Sequence, residues 1–222
     1  PTHRMSLPRG TIVDGTWSIE DLVGEGTFCE VYRAVHSYSS MVCAIKVERE
    51  SREAGAGKLE TESAVLTAMN GHRSFARRIN SGTISCRRPG ERKTRRELLI
   101  MTLLGCSLSE ARKRAQGGRL APVTALSVTL QLIRCVRALH EKGWVHRDIK
   151  SSNFVLADDA VPLDSPRSRL CVIDFGLSRQ VIGSVAGEGG GGAGGEGPGA
   201  HVAERTTCEF RGSPIYASVN AH

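Results

Sequence analysis

Two short stretches hold side chains whose types and order suit one chemistry. Residues 144–153, WVHRDIKSSN, place His146, Arg147, Asp148, Lys150 and Asn153 close together, and Asp174-Phe175-Gly176 closes an apolar run about twenty residues later. Phosphoryl transfer needs a carboxylate to orient the attacking hydroxyl, oxygen ligands for Mg2+, and a cation beside the transferred group. Asp148 suits the first task, Asn153 and Asp174 the second, and Lys150 the third. A charged loop followed by an unrelated turn is the bland alternative. The whole spaced set, in order, argues against it.

The elements that must position these groups can be read along the chain. Residues 1–16, with Pro8 and Gly10, read as a loose lead-in. From Trp17 a strand-like run, WSIEDLV, enters Gly24-Glu25-Gly26-Thr27-Phe28-Cys29-Glu30-Val31. Glycines at 24 and 26 permit a tight strand–turn–strand with backbone close to a phosphate. An ordinary hairpin has the same pattern. The Cys29 thiol is expected near the phosphates as an inert loop thiol; a lowered pKa that opens it to oxidation is the sharper reading. Val42–Val47 reads as a strand whose period of two puts Val42, Ala44 and Lys46 on one face. Residues 58–69 read as a helix with Val65, Leu66 and Met69 on an apolar stripe, and Glu62 falls on that stripe. A carboxylate facing a core needs a partner, and Lys46 is the natural one. Glu60 belongs to the solvated face.

Residues 87–96 carry six basic side chains between two strand candidates, Thr83–Cys86 and Leu98–Met101. The run reads as a solvated hairpin loop; a docking patch for an acidic partner is the sharper reading. Thr102 to Gly105 links two halves, with Gly105 as a hinge. A helix is expected over Ala125–Lys142, with Leu126, Leu130, Ile133 and His140 near one face and Gly143 closing it. His146 is expected to fix its loop by hydrogen bonding. Phe154–Leu156 and Leu170–Ile173 read as short strands. Gly187–Gly199, with nine glycines in thirteen residues, reads as a flexible, disordered tract.

Composition bounds the rest. The chain has 222 residues, 40% apolar and 24% charged, with a net charge of +7, which suits one or two soluble globular units. Seven cysteines without a C-x-x-C pair argue against a zinc site. They suggest free thiols in a reducing compartment, cytoplasmic or nuclear. No secretory-signal pattern is expected at the opening residues, and the longest uncharged run, Leu120 to Ile133, is too short and too polar to span a bilayer. No membrane partner is expected. Nucleic-acid binding ranks last, because the basic run has no aromatic platform beside it.

Together these motifs resemble those of the eukaryotic protein kinases. VHRDIKSSNF, LLGCSL and FRGSPIYASVNAH are similar to the casein kinase 1 superfamily, and GTIVDGTWSIEDLVGEGTFCEVYRA points to its tau-tubulin kinase group. The likeness covers nearly the whole chain, apart from the basic run, the loop before Leu170 and the glycine tract. It implies an α+β, bilobal protein kinase-like fold. Residues 17–104 would form a small, mostly β N-lobe and hinge. Residues 105–222 would form an incomplete, mostly α C-lobe, truncated before its last helices, with a Gly-rich insert at 187–199.

The resemblance also implies roles. ATP and Mg2+ would bind, with Gly24, Glu25 and Gly26 over the phosphates. Lys46 would contact the α/β-phosphates and pair with Glu62. Met101 would be the gatekeeper, Thr102 to Leu104 the adenine-binding hinge, and Val31, Ala44 and Val155 the sandwich around the base. Asp148 would be the catalytic base, helped by Lys150, with Asn153 and Asp174 holding the metal. Ser213 stands for a threonine that bonds the catalytic aspartate. Cys29 replaces a glycine, Ser151 replaces a proline, and no aspartate follows Ser218-Val219-Asn220. The implied activity is a monomeric serine/threonine kinase acting on an acidic or phosphorylated protein substrate. The rival is an inactive nucleotide-binding or scaffold module of the same fold.

Overall fold

Alternating apolar positions fold the first half into a sheet. The computed structural model describes residues 7–49, 57–86, 94–181, 213 and 216. Six antiparallel strands run in the order β1-β2-β3-β4-β6-β5: β1 (Ile12–Val13), β2 (Trp17–Glu25), β3 (Cys29–His36), β4 (Val42–Glu48), β5 (Arg78–Cys86) and β6 (Thr94–Thr102). In β4 the period of two sends Cys43, Ile45 and Val47 to one apolar cluster and Ala44 to another. Lys46 shares the second face, as its spacing predicts.

The lead-in is more ordered than its sequence suggests. Leu7 and Val13 are buried on the sheet's outer face with Trp17, Ile19 and Tyr32, and β1 pairs with β2 at Val13↔Trp17. Asp14 and Gly15, with φ of 50° and 69°, make the tight connection. The polar look of residues 7–16 hides two apolar anchors, which is why a loop reading fails there.

The basic run is also corrected in part. The two strands flanking it extend further than expected, so Arg95 and Arg96 lie within β6. Arg96 is buried, donates from Nε to the Glu48 carbonyl at 2.6 Å, and pairs with Glu30 at 3.7 Å. Burial of a guanidinium is tolerable only with such partners. Residues 87–93 and the glycine tract 187–199 lie outside the described residues, so those two expectations have no structural counterpart.

Between β4 and β5 comes α1 (Lys58–Ala68). It buries Leu59, Glu62, Val65 and Leu66 at helical spacing, with Glu60 exposed. After the sheet, α2 (Leu108–Arg114) opens with a capping box in which Ser107 and Glu110 satisfy each other's ends. Helix α3 (Pro122–Glu141) starts three residues before the expected Ala125, because Pro122 suits a first helical position. Gly143, at φ 75°, follows its end. Helix α3 buries Val128, Cys135 and Leu139, so the stripe of Leu126, Leu130 and Ile133 is its exposed face. By length and composition alone α3 could cross a membrane, yet it packs on the strands that follow. These are β7 (Trp144–Val145), β8 (Phe154–Leu156), β9 (Leu170–Val172) and β10 (Arg179–Gln180), paired β7 with β10 and β8 with β9. One apolar cluster joins Ala44, Leu66 and Met101 to Leu139, Phe154 and Phe175, so the halves share a core. The observed order, a β-rich half and then a helical half, is the bilobal α+β arrangement expected.

Candidate active site

The site lies where the two halves meet. Lys46 reaches from β4 to α1, and its Nζ donates to Glu62 Oε2 at 2.6 Å and to Asp174 Oδ1 at 3.0 Å. Glu62 is buried on the inner face of α1, so the inward carboxylate read from the helix stripe has the partner it requires. Burial opposes the charge on Lys46, but Glu62 and Asp174 outweigh it and hold its pKa above the ordinary value. Burial pushes the Glu62 carboxyl up, and the Lys46 ammonium pulls against that push. Asp174 sits above the usual backbone limits at φ 67°. Such strain is kept where the surroundings fix it. Its side chain remains 48% exposed, so one carboxylate oxygen is free for another ligand.

Facing it is the loop after β7. Asp148 accepts from Ser213 Oγ at 2.7 Å on Oδ1, and from Lys150 Nζ at 2.7 Å and Asn153 Nδ2 at 3.1 Å on Oδ2. A carboxylate has about four acceptor positions, so three bonds leave room for a substrate hydroxyl. Burial would raise the Asp148 pKa, but hydrogen bonds from Lys150 and Ser213 bring it below the ordinary value. Asp174 is likewise held low, by Lys46 against the effect of burial. Asn153 spends its amide N–H groups on Asp148, which leaves the amide oxygen for a cation. Carboxylate and amide oxygens are the hard ligands Mg2+ takes, so Asn153 and Asp174 fit that ion.

His146 fixes this loop from behind, as its sequence position suggests. It is buried, and Nδ1 accepts from the Asp148 backbone N–H at 3.3 Å. The proton therefore sits on Nε2, which donates to the Ile173 carbonyl at 2.9 Å. Burial pushes the His146 pKa down and keeps the ring neutral. Phe175 lies against His146 (ring centres 5.2 Å apart) and stacks on Phe75 (5.8 Å). Phe75 was not singled out from the sequence. It sits in an irregular stretch before β5, and no periodicity marks it.

The expected nucleotide-binding positions are brought together. Ala44 and Met101 are register partners, and Val31 and Leu104 pack on the same cluster. Val155, 5% exposed, bridges Ser107 just past the hinge, whose Gly105 N–H donates to the Leu156 carbonyl. Gly105 has its own reason to be glycine: a Cβ there would stand 2.5 Å from the Asp159 carboxylate. Gly24 and Gly26 show only ordinary clearances around an added Cβ and no positive φ. Among the described residues nothing demands glycine there, and a close-approaching ligand would be a reason for it. Glu25 pairs with Arg49, just past the end of β4.

Cys29 overturns the sharper reading of a lowered pKa. Its side chain is buried in the inner cluster, and burial raises its pKa to about 11 despite the opposing field of Lys46. The reason is its place at the start of β3, where alternation turns it into the core. The sequence alone gave it a loop position.

A model of the protein kinase domain matches residues 17–206. A Dictyostelium discoideum protein named as a probable serine/threonine-protein kinase is 30% identical over 220 residues, 99% of this chain and 39% of that protein. A Caenorhabditis elegans protein whose name assigns it to casein kinase I is 26% identical over 220 residues, 99% of this chain and 57% of that protein. The chain thus spans between about two fifths and three fifths of these relatives.

Proposed function

Because the chain belongs to the protein kinase family, we propose that it is a serine/threonine protein kinase of the casein kinase 1 type, nearest in motifs to the tau-tubulin kinase group. It would transfer the γ-phosphoryl group of ATP to a protein hydroxyl. The observation that carries this reading is a pair of polar clusters where the two halves meet. Lys46, Glu62 and Asp174 meet on one side, and Asp148, Lys150, Asn153 and Ser213 meet on the other.

Lys46, already held in place by Glu62, would contact the α/β-phosphates, with the Gly24–Gly26 turn above them. Asn153 and Asp174 would hold Mg2+, which supplies charge neutralisation to the phosphates when bound. Asp148 would accept the hydrogen bond of the incoming hydroxyl and orient it for in-line attack. Its low pKa keeps it ionised at neutral pH, so its work is orientation rather than strong proton abstraction. Lys150 stands 2.7 Å from Asp148 and would meet the charge that builds on the transferred group. Positioning and fixed charge would supply most of the acceleration.

The net charge of +7 supports an acidic or phosphorylated substrate. The free thiols at Cys29, Cys43, Cys106, Cys135 and Cys171 support a reducing compartment, the cytoplasm or nucleus. The experiment is MgATP-dependent labelling of acidic, phosphorylated and basic peptides carrying Ser, Thr or Tyr. Transfer to Ser or Thr of the acidic or phosphorylated peptides is the expected result. Nucleotide binding without transfer to any peptide would favour the inactive module.

A further inference from the structure

The glycine-rich turn is tied to α1 by a contact that none of the roles above uses. Phe28 stands at its tip, and Lys58 is the first residue of α1. The Lys58 Nζ lies over the Phe28 ring, 2.8 Å from its centre. An ammonium on a ring face is attracted by the ring's quadrupole. The rest of the turn is held at the backbone: Gly26 N–H donates to the Cys29 carbonyl at 2.9 Å, and Arg49 N–H to the Phe28 carbonyl at 2.7 Å. Cys29 is buried just behind.

The other end of Lys58 touches the metal-binding side. Its stem runs along Gly176, where an added Cβ would meet the Lys58 Cβ at 3.3 Å and its Cγ at 3.7 Å. Lys58 is also four residues before Glu62, so the two share a face of α1. One side chain therefore touches the phosphate turn and the glycine after Asp174-Phe175, and rides on the helix that holds Lys46 through Glu62.

We propose that Lys58 is a positioning residue that clasps Phe28, so that the glycine-rich turn is set over the phosphate site in register with α1 and residues 174–176. The proposal deepens the kinase reading and rests on it for its effect on ATP. The clasp itself is a property of the free protein. Without it, the turn has two glycines in three residues, and among the described residues its tip keeps the backbone bonds and the packing of Phe28 on the inner cluster.

The test compares wild type with Lys58→Met, Lys58→Arg, Phe28→Leu and the Lys58→Met/Phe28→Leu double variant. Met keeps the stem on Gly176 and removes only the charge. The first readout is amide exchange over residues 24–29 in the nucleotide-free protein. Lys58→Met and Phe28→Leu should each speed exchange about fivefold, the equivalent of a cation–π contact of ordinary strength. The double variant should add nothing further, and Lys58→Arg should stay near wild type. The second readout is kinetic: KM for ATP should rise by a similar factor with kcat changed less. Exchange in Lys58→Met equal to wild type, or fully additive effects in the double variant, would overturn the clasp. A wild type that transfers no phosphate would instead sink the kinase reading, and the exchange comparison would still decide the clasp.

Discussion

Replacing Lys46 by Met should cost more in stability than one ion pair suggests, and the cost should depend on pH. Lys46 is the cation on Glu62, whose side chain is 2% exposed, and it also meets Asp174. Without it, a buried carboxylate has no counter-charge and lies near another. Removing one partner of a buried pair costs about 3–5 kcal/mol. At ~2–4 °C per kcal/mol for a domain of this size, the melting temperature should fall by roughly 10 °C. Glu62 can lessen the cost by taking a proton, since burial already pushes its pKa up. A carboxyl whose folded pKa is raised contributes stability below its unfolded value of about 4.3, and loses it as pH rises through the folded value. The deficit of Lys46→Met should therefore be larger at pH 8 than at pH 5. Adding Glu62→Gln to Lys46→Met should recover part of the loss at pH 8. Glu62→Gln alone should cost less, because Lys46 keeps Asp174, and exposed Glu60→Gln should stay within about 0.5 kcal/mol of wild type. Thermal melts of the five proteins at both pH values decide the matter. A Lys46→Met deficit that is small and the same at both pH values, or one deepened by Glu62→Gln, would refute the reasoning.

Two further outcomes follow from the same geometry. His146 is held neutral by burial and by the Asp148 N–H on its Nδ1. A histidine with a depressed folded pKa gives stability above about pH 6.5 and loses it as pH falls through the folded value. Wild-type melts should thus drop as pH falls below about 6.5, and His146→Gln should flatten that slope; an unchanged slope would contradict a buried ring held neutral at this position. Cys29, with a pKa near 11, should be inert. Peroxide should inactivate wild type and Cys29→Gly at the same rate, and faster loss in the wild type would reopen its role.

Most of the site was legible because its residues are fixed by chemistry at short spacing. Asp148, Lys150 and Asn153 lie within one loop, and their mutual bonds need no long-range contact to be guessed. Lys46 and Glu62 were legible for a different reason: each is a charge on a face that period two or period 3.6 marks as buried. What was missed depends on tertiary contact. Cys29 looked like a loop residue until β3 was seen to begin there. Leu7 and Val13 anchor the lead-in only because the outer face of the sheet needs covering. Phe75 and Phe175 meet across a hundred positions, and the Lys58–Phe28 contact joins a turn to a helix start. The end of the basic run misled because charge was taken for solvation, whereas Arg96 is buried against Glu48 and Glu30.

The central claim is that Asp148 orients a protein hydroxyl beside nucleotide phosphates held by Lys46 and a metal ion. Steady-state phosphate transfer by wild type and Asp148→Asn, with MgATP binding measured on both, tests it most directly. Loss of an orienting group can cost about 10²-fold in rate, so kcat should fall by roughly that much while nucleotide affinity stays within a few-fold. Asp148→Asn turnover close to wild type, at equal nucleotide affinity, would contradict it.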